Sequence, residues 1–322
     1  MSLLAGFLVL ALILWLLHRQ LAAYRLADVI RDLRHLPPDR LAAALALTGL
    51  SYFTLTGYDW MALRFLGRGL PYRRVALAAF TAYAVSHTVG FDALSGTGVR
   101  YRLYTAWGVS AFNVTKIMAF NGATFWLGFL TMAGTVFFAA PNIIPDSVVL
   151  PFQSTRPLGA LFLSAVAAYL ILTVRRHTPL KIRDWEFTLP PPATAGAQLA
   201  LACCDIALAA AVLYVLLPAG TAGSYPAFLA VFLAAQLTGI LTHVPGGVGV
   251  FETIVVVLLS PDAPAPAILA SLVAYRAIYY LLPLGLAAVL LGTREIVVRR
   301  GPLTRESIPS PSEQKESPRF RV

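Results

Sequence analysis

Charge is what this sequence has least of. Asp, Glu, Lys and Arg together make up 12% of the 322 residues, against 58% hydrophobic ones. A soluble domain carries about twice that charge, and a mean hydropathy of +0.73 is far outside the soluble range. A water-soluble globular protein is excluded, which leaves a polytopic membrane protein. Acids are scarcer than bases, and in a soluble chain a net charge of +10 would suggest nucleic acid. Here the bases sit between apolar runs, as in loops facing the cytoplasm and its anionic lipids, so no nucleic-acid partner is expected.

Metal-binding and nucleophilic residues are equally sparse. The two cysteines, Cys203 and Cys204, are neighbours, where a structural disulfide would be strained, so they carry no redox argument. Of five histidines, His18, His35 and His177 fall in loops. His87 and His243 have no cysteine or carboxylate cluster nearby, so no metal site at known spacing is expected. Gly246-Gly247-Val248-Gly249 lacks the Lys-Ser/Thr continuation of a P-loop. No cofactor is expected, and energy for any transport must come from ions, a gradient or the lipid equilibrium itself. The first run, LLAGFLVLALILWLL, lacks the basic start and cleavage site of a signal peptide and reads as a retained helix.

Long apolar runs are what the sequence does have. Residues 3–17 form the first, and Arg19–Arg40 reads as an interfacial helix ending at Pro37 and Pro38. The second run, 41–63, contains Asp59, and the acid-free loop of Arg64, Arg68, Arg73 and Arg74 follows it, a cytoplasmic pattern. Further spans are expected over 111–139, 157–174, 195–217 and 267–291, with a second cytoplasmic loop at Arg175, Arg176, Lys181 and Arg183. Topology closes best when 75–110 and 226–260 are re-entrant hairpins entering from opposite faces. The fold class is then an all-α polytopic membrane protein of about six full spans plus two re-entrant helical hairpins, arranged as an inverted repeat. Residues 1–300 form one transmembrane domain, and 301–322 a disordered cytoplasmic tail. A second topology stays open: with Arg19–Arg40 in the cytoplasm, the first helix reverses and 75–93 becomes a true span.

The hairpins are expected because two apolar segments are interrupted. QLTGILTHVPGGVGVFE (Gln236–Glu252) is broken by His243, Pro245, Gly246, Gly247 and Gly249 before the apolar run resumes with Glu252. SHTVGFDALSGTGVRYRLY contains Gly96-Thr97-Gly98-Val99-Arg100, a similar Gly-x-Gly-Val followed by a charge. Broken backbone in lipid survives only when enclosed by protein or lining a polar cavity, and helices interrupted at matching places point to an inverted-repeat transporter site. Simple glycine-rich turns between ordinary spans remain the alternative.

Asp59, Asp92, Asp205 and Glu252 are the acids in or beside apolar runs, and Arg100, Arg102, Lys116 and Arg276 the bases. Ionised groups at depth must pair or face a hydrated cavity. Arg100 and Arg276 suit a phosphate, whose oxygens match the planar guanidinium fork, helped by backbone N–H groups at the glycine breaks. Glu252, with Asp59 or Asp205, suits an ammonium. Arg102 and Lys116 are placed at the interface. The alternative is that all these charges pair with one another and fix helix packing. The same sites carry a resemblance: LSGTGVRYRLYTAWGVS (Leu94–Ser110), FNGATFWLGF (Phe120–Phe129) and HVPGGVGVFE (His243–Glu252) are similar to the membrane flippase part of bacterial lysylphosphatidylglycerol synthetase/flippase proteins and their stand-alone relatives.

That resemblance covers most of residues 1–300. It implies movement of a membrane phospholipid, aminoacylated phosphatidylglycerol, between leaflets of the inner membrane, which lowers sensitivity to cationic antimicrobial peptides. Full-length members continue into an aminoacyl transferase domain that has no counterpart here, so synthesis is not expected from this chain. Its partners would be the phospholipid headgroup and a separately encoded lipid-modifying enzyme. Stand-alone relatives are associated with other lipids, hopanoids included, and a non-transporting scaffold for a lipid-modifying enzyme is a further reading. A homodimer is compatible with the sequence and not demanded by it.

Overall fold

The computed structural model describes residues 36–89, 92–139, 154–175, 180–182, 185–187, 189–242, 245–259 and 265–300. The expected first helix, most of the Arg19–Arg40 segment and the 301–322 tail lie outside them. In lipid every backbone polar group must be satisfied within the chain, and the described residues are accordingly almost all helical. Helix α1 is Pro38–Phe65, α2 Tyr72–Val89, α3 Asp92–Ala106, α4 Ala111–Ala139 and α5 Arg156–Arg175. After a small antiparallel ribbon, β1 Leu180–Ile182 on β2 Trp185–Phe187, come α6 Pro192–Leu216 and α7 Tyr225–Thr242. A 3-10 turn at Pro245–Gly247 leads to α8 Val250–Leu259; α9 Ala265–Tyr275 then runs through a π-helical segment, Arg276–Leu281, into α10 Leu282–Arg300. The ribbon is an addition to the all-α expectation, placed in the second basic loop.

Six helices among the described residues are long and apolar enough to cross a membrane. Five are the spans expected at 41–63, 111–139, 157–174, 195–217 and 267–291: α1, α4, α5, α6 and the run Ala267–Ile296. The sixth is α7, the descending arm of the second hairpin. Its returning arm, α8, has 10 residues. At 1.5 Å per residue that is about 15 Å, half of a hydrocarbon core about 30 Å thick, so the chain turns back within the bilayer. α3, with 15 residues, is about 22 Å long and also too short to span.

The hairpins run in opposite senses. Arg40, at the start of α1, donates to the Leu217 carbonyl just past the end of α6, so α7 sets out from that end of the bundle. α2 sets out from the other end, beyond the C-terminus of α1, where Arg102 of α3 is paired with Glu295 of α10. In the middle they meet, with α2 packed against both the Pro245–Gly247 turn and the π segment. The largest buried core joins α1, α4, α6, α7, α8 and α9, with Phe129, Leu213, Phe228, Phe232 and Ile268 among its members.

The first break differs from expectation in position. α2 ends at Val89 and α3 begins at Asp92, so Gly96 and Gly98 lie inside α3, with backbone N–H groups committed to helix hydrogen bonds and closed to a headgroup. The second break is where glycines do bend the chain: Gly246, Gly247 and Gly249 have φ of 65°, 61° and 84°. The two Gly-x-Gly-Val strings are therefore not structural equivalents. Gly96 has a packing role instead: a Cβ there would lie 2.1 Å from Ser86 Oγ and 3.0 Å from Arg100 Nη1, so glycine lets α2 and α3 close together.

Candidate functional site

Among the described residues, the buried charges singled out from the sequence, Asp59, Arg100, Glu252, Arg276 and Asp205, fall into three polar clusters. In the first, Arg100 Nε lies 2.9 Å from Asp59 Oδ2 and its Nη2 3.0 Å from Oδ1. Tyr104 donates to Asp59 at 2.6 Å, as does Asn121 Nδ2. The guanidinium also lies over the Tyr83 ring, 4.3 Å from its centroid. Arg100 and Asp59 are 2% and 0% exposed. A forked pair with three further partners is a satisfied buried ion pair. It draws together α1, α3 and α4.

The second cluster closes the break. Arg276, the first residue of the π segment, donates through Nε to Glu252 Oε1 at 2.7 Å and through Nη1 to the Gly246 carbonyl at 2.8 Å. The other carboxylate oxygen, Oε2, accepts from the Gly249 N–H at 2.7 Å. Glu252 is the third residue of α8 and reaches back to the N–H just before it, one half of a capping box, so the carboxylate caps the helix and binds the guanidinium together. One arginine thus satisfies a carbonyl freed by the glycines and neutralises the acid that satisfies a freed N–H. Arg276 stands about 14 Å along the helix axis from Ala267, well inside a span, so this staple lies at depth. Tyr280 lies under the guanidinium at 4.5 Å.

The third cluster holds Asp205. It sits near the midpoint of α6 and accepts from Ser51 Oγ at 3.0 Å and Tyr58 OH at 3.4 Å. Ser51, near the midpoint of α1, is also 2.9 Å from the Tyr279 hydroxyl. Among the described residues no Lys or Arg forms an ion pair with Asp205.

The structure therefore brings Glu252, Arg276, Gly246 and Gly249 together, with Gly247 in the same turn, and puts Asp59 with Arg100 elsewhere. Asp92 opens α3, on the opposite arm from His87, and His243 lies outside the described residues. Of the two outcomes open to a charge at depth, an ion partner or a hydrated cavity, Arg100 and Glu252 show the first: they are 2% and 8% exposed and each is in an ion pair. Lys116 lies over Phe112, and Arg102 pairs with Glu295, both outside these clusters. Sequence reasoning missed Ser51, Tyr58 and Tyr104, hydroxyl groups whose only signal was polarity within apolar runs. Of two cavities near the start of α1, the larger, about 350 Å³, is lined by Asp39, Arg40, Tyr214 and the Leu217–Gly223 turn, away from all three clusters.

Opposed hairpins, a broken helix stapled by a buried ion pair and several apolar spans define a multi-pass α-helical membrane protein. The chain belongs to the family described as the lysylphosphatidylglycerol synthase TM region, whose model matches residues 3–287. It is 40% identical to the Uncharacterized protein slr0712 of Synechocystis over 88% of each chain. It is 32% identical to the Inner membrane protein YbhN of Escherichia coli over 81% of each. A phosphatidylglycerol lysyltransferase of Staphylococcus aureus is 24% identical over 85% of this chain and 32% of its own length.

Proposed function

We propose that this chain moves a phospholipid headgroup, foremost that of an aminoacylated phosphatidylglycerol such as lysyl-phosphatidylglycerol, between leaflets of the bacterial inner membrane. The observation that carries the reading is the buried Arg276–Glu252 staple across a break in the middle of a span. Its two charges match those of the headgroup. A phosphate replaces Glu252 on the guanidinium fork, the ammonium replaces Arg276 on Glu252, and the break opens as the staple is exchanged for substrate. Acyl chains stay in lipid throughout. The family name and the lysyltransferase relative support a lipid of this kind, and delivering it outward would reduce the surface charge that attracts cationic antimicrobial peptides. The reading is translocation without chemistry.

The test is a leaflet-accessibility assay in proteoliposomes with fluorescent lysyl-phosphatidylglycerol, phosphatidylglycerol and a glycolipid or hopanoid probe. Wild type should move the aminoacylated probe faster than protein-free vesicles, and Glu252→Gln and Arg276→Lys should each slow it about tenfold or more, with melting curves showing folded protein. Preference for the glycolipid or hopanoid reassigns the substrate. No acceleration of any probe sinks translocation in favour of a scaffold that partners a separately encoded lipid-modifying enzyme, a reading favoured by the closed pairing of Asp59 with Arg100.

A further inference from the structure

The Asp205 cluster remains outside that mechanism. It is a carboxyl at the middle of a span, 7% exposed, and held by hydroxyl groups in place of a cation. A permanent carboxylate there is costly, and a chain that needs only a hydrogen-bonding residue has Asn or Gln to use, as α6 does about two turns earlier with Gln198, which joins Thr124 and Tyr169. Asp205 is linked to the staple. Ser51 connects it to the Tyr279 hydroxyl, and Tyr279 stacks on Tyr275 at 5.3 Å, which stacks on Phe251 at 6.1 Å, the residue before Glu252. Tyr279 is also within one turn of Arg276, in the π segment, a departure from α-helix that recurs at functional sites.

We infer that Asp205 is a proton-binding site that couples a transmembrane proton gradient to opening of the Arg276–Glu252 staple. As a carboxylate it accepts the Ser51 hydrogen, so Tyr279 must donate to Ser51. On taking up one proton from the face to which the site opens, the new Oδ–H donates to Ser51, Ser51 turns its hydrogen onto the Tyr279 oxygen, and the Tyr279 O–H keeps its hydrogen but turns away from Ser51. The carboxyl loses its charge, and the proton leaves to the opposite face when the hairpins part the other way. Among the described residues, the titratable groups facing the cluster and its Tyr279 link are Tyr52 and Tyr58 from α1, Tyr83 and His87 from α2, Tyr275 from α9, and Tyr279 and Tyr280 from the π segment; Tyr225 of α7 ends at the Ala207 carbonyl. His87 stacks on Tyr279 at 5.8 Å and makes a second candidate for any pH response, so the test separates the two.

This rests on the translocation reading, and the experiment keeps the two apart. Proteoliposomes carrying the lysyl-phosphatidylglycerol probe are given a pH gradient, with and without a protonophore, alongside infrared difference spectra of the same protein between acid and alkaline buffer. The expected result is gradient-dependent movement in wild type, lost in Asp205→Asn and retained in His87→Gln, with a protonated-carboxyl carbonyl band that disappears in Asp205→Asn. Movement indifferent to the gradient overturns the coupling and leaves translocation standing. A response kept by Asp205→Asn and lost by His87→Gln, or a carboxyl band unchanged in Asp205→Asn, overturns the assignment to Asp205. Failure of every probe to move, with the band present, sinks translocation and the coupling with it.

Discussion

A buried charge is judged by what happens when its partner is removed. Asp59 and Arg100 are each nearly inaccessible, so Arg100→Met should leave Asp59 uncompensated and destabilise the protein by about 3–5 kcal/mol. Replacing both with Leu and Met should recover most of that, because two apolar side chains restore packing without stranding a charge. Thermal unfolding in detergent of the two single variants and the double variant tests this; equal loss in all three would contradict it. Gly96→Ala should also destabilise, since its Cβ meets Ser86 and Arg100. These charges were legible in the sequence because an ionised residue stands out in an apolar run. Their grouping was not, since Asp59 and Arg100 are joined across α1 and α3 and nothing in the spacing relates them. Tyr58, Tyr104 and Ser51 were harder still: a hydroxyl in an apolar run looks the same whether it faces a carboxylate or its own helix.

At the scale of elements, helix breaks were legible in proportion to how much the backbone had to deviate. Pro245 and the positive-φ glycines mark the second break, and it lies where they are. Gly96 and Gly98 suggested a break and turned out to be helical, because a glycine required for close packing is the same letter in the sequence as one required for a turn. The π segment had no sequence signal beyond Arg276 in an apolar run. The α4–α5 crossing makes a prediction of its own: a Cβ on Gly159 would lie 2.6 Å from the Phe138 nitrogen and 2.8 Å from the Gly134 carbonyl oxygen. Small residues allow such close approach of helices in lipid. Gly159→Leu should separate α5 from α4, read as faster proteolysis of the loop between them and a lower melting temperature, whereas Gly122→Ala, with open space around it, should change neither.

Taken as a whole, the molecule is arranged so that two hairpins enter from opposite ends of the bundle and meet beside the staple. A re-entrant hairpin has both its ends on one face, whereas a segment that crosses once has them on opposite faces. Single cysteines placed at Ser224 and Ala265, flanking the second hairpin, should therefore react with a membrane-impermeant maleimide from the same side, in a background where Cys203 and Cys204 are serine. A cysteine at Gly69, in the bend before α2, should react only from the opposite side, together with the basic loop that follows α1. In intact cells the first two should label directly and the third only after permeabilisation. Opposite reactivity of Ser224 and Ala265 would make α7 and α8 one broken crossing in place of a hairpin; labelling of Gly69 from the same side as the other two would abolish the opposed entry of the two hairpins.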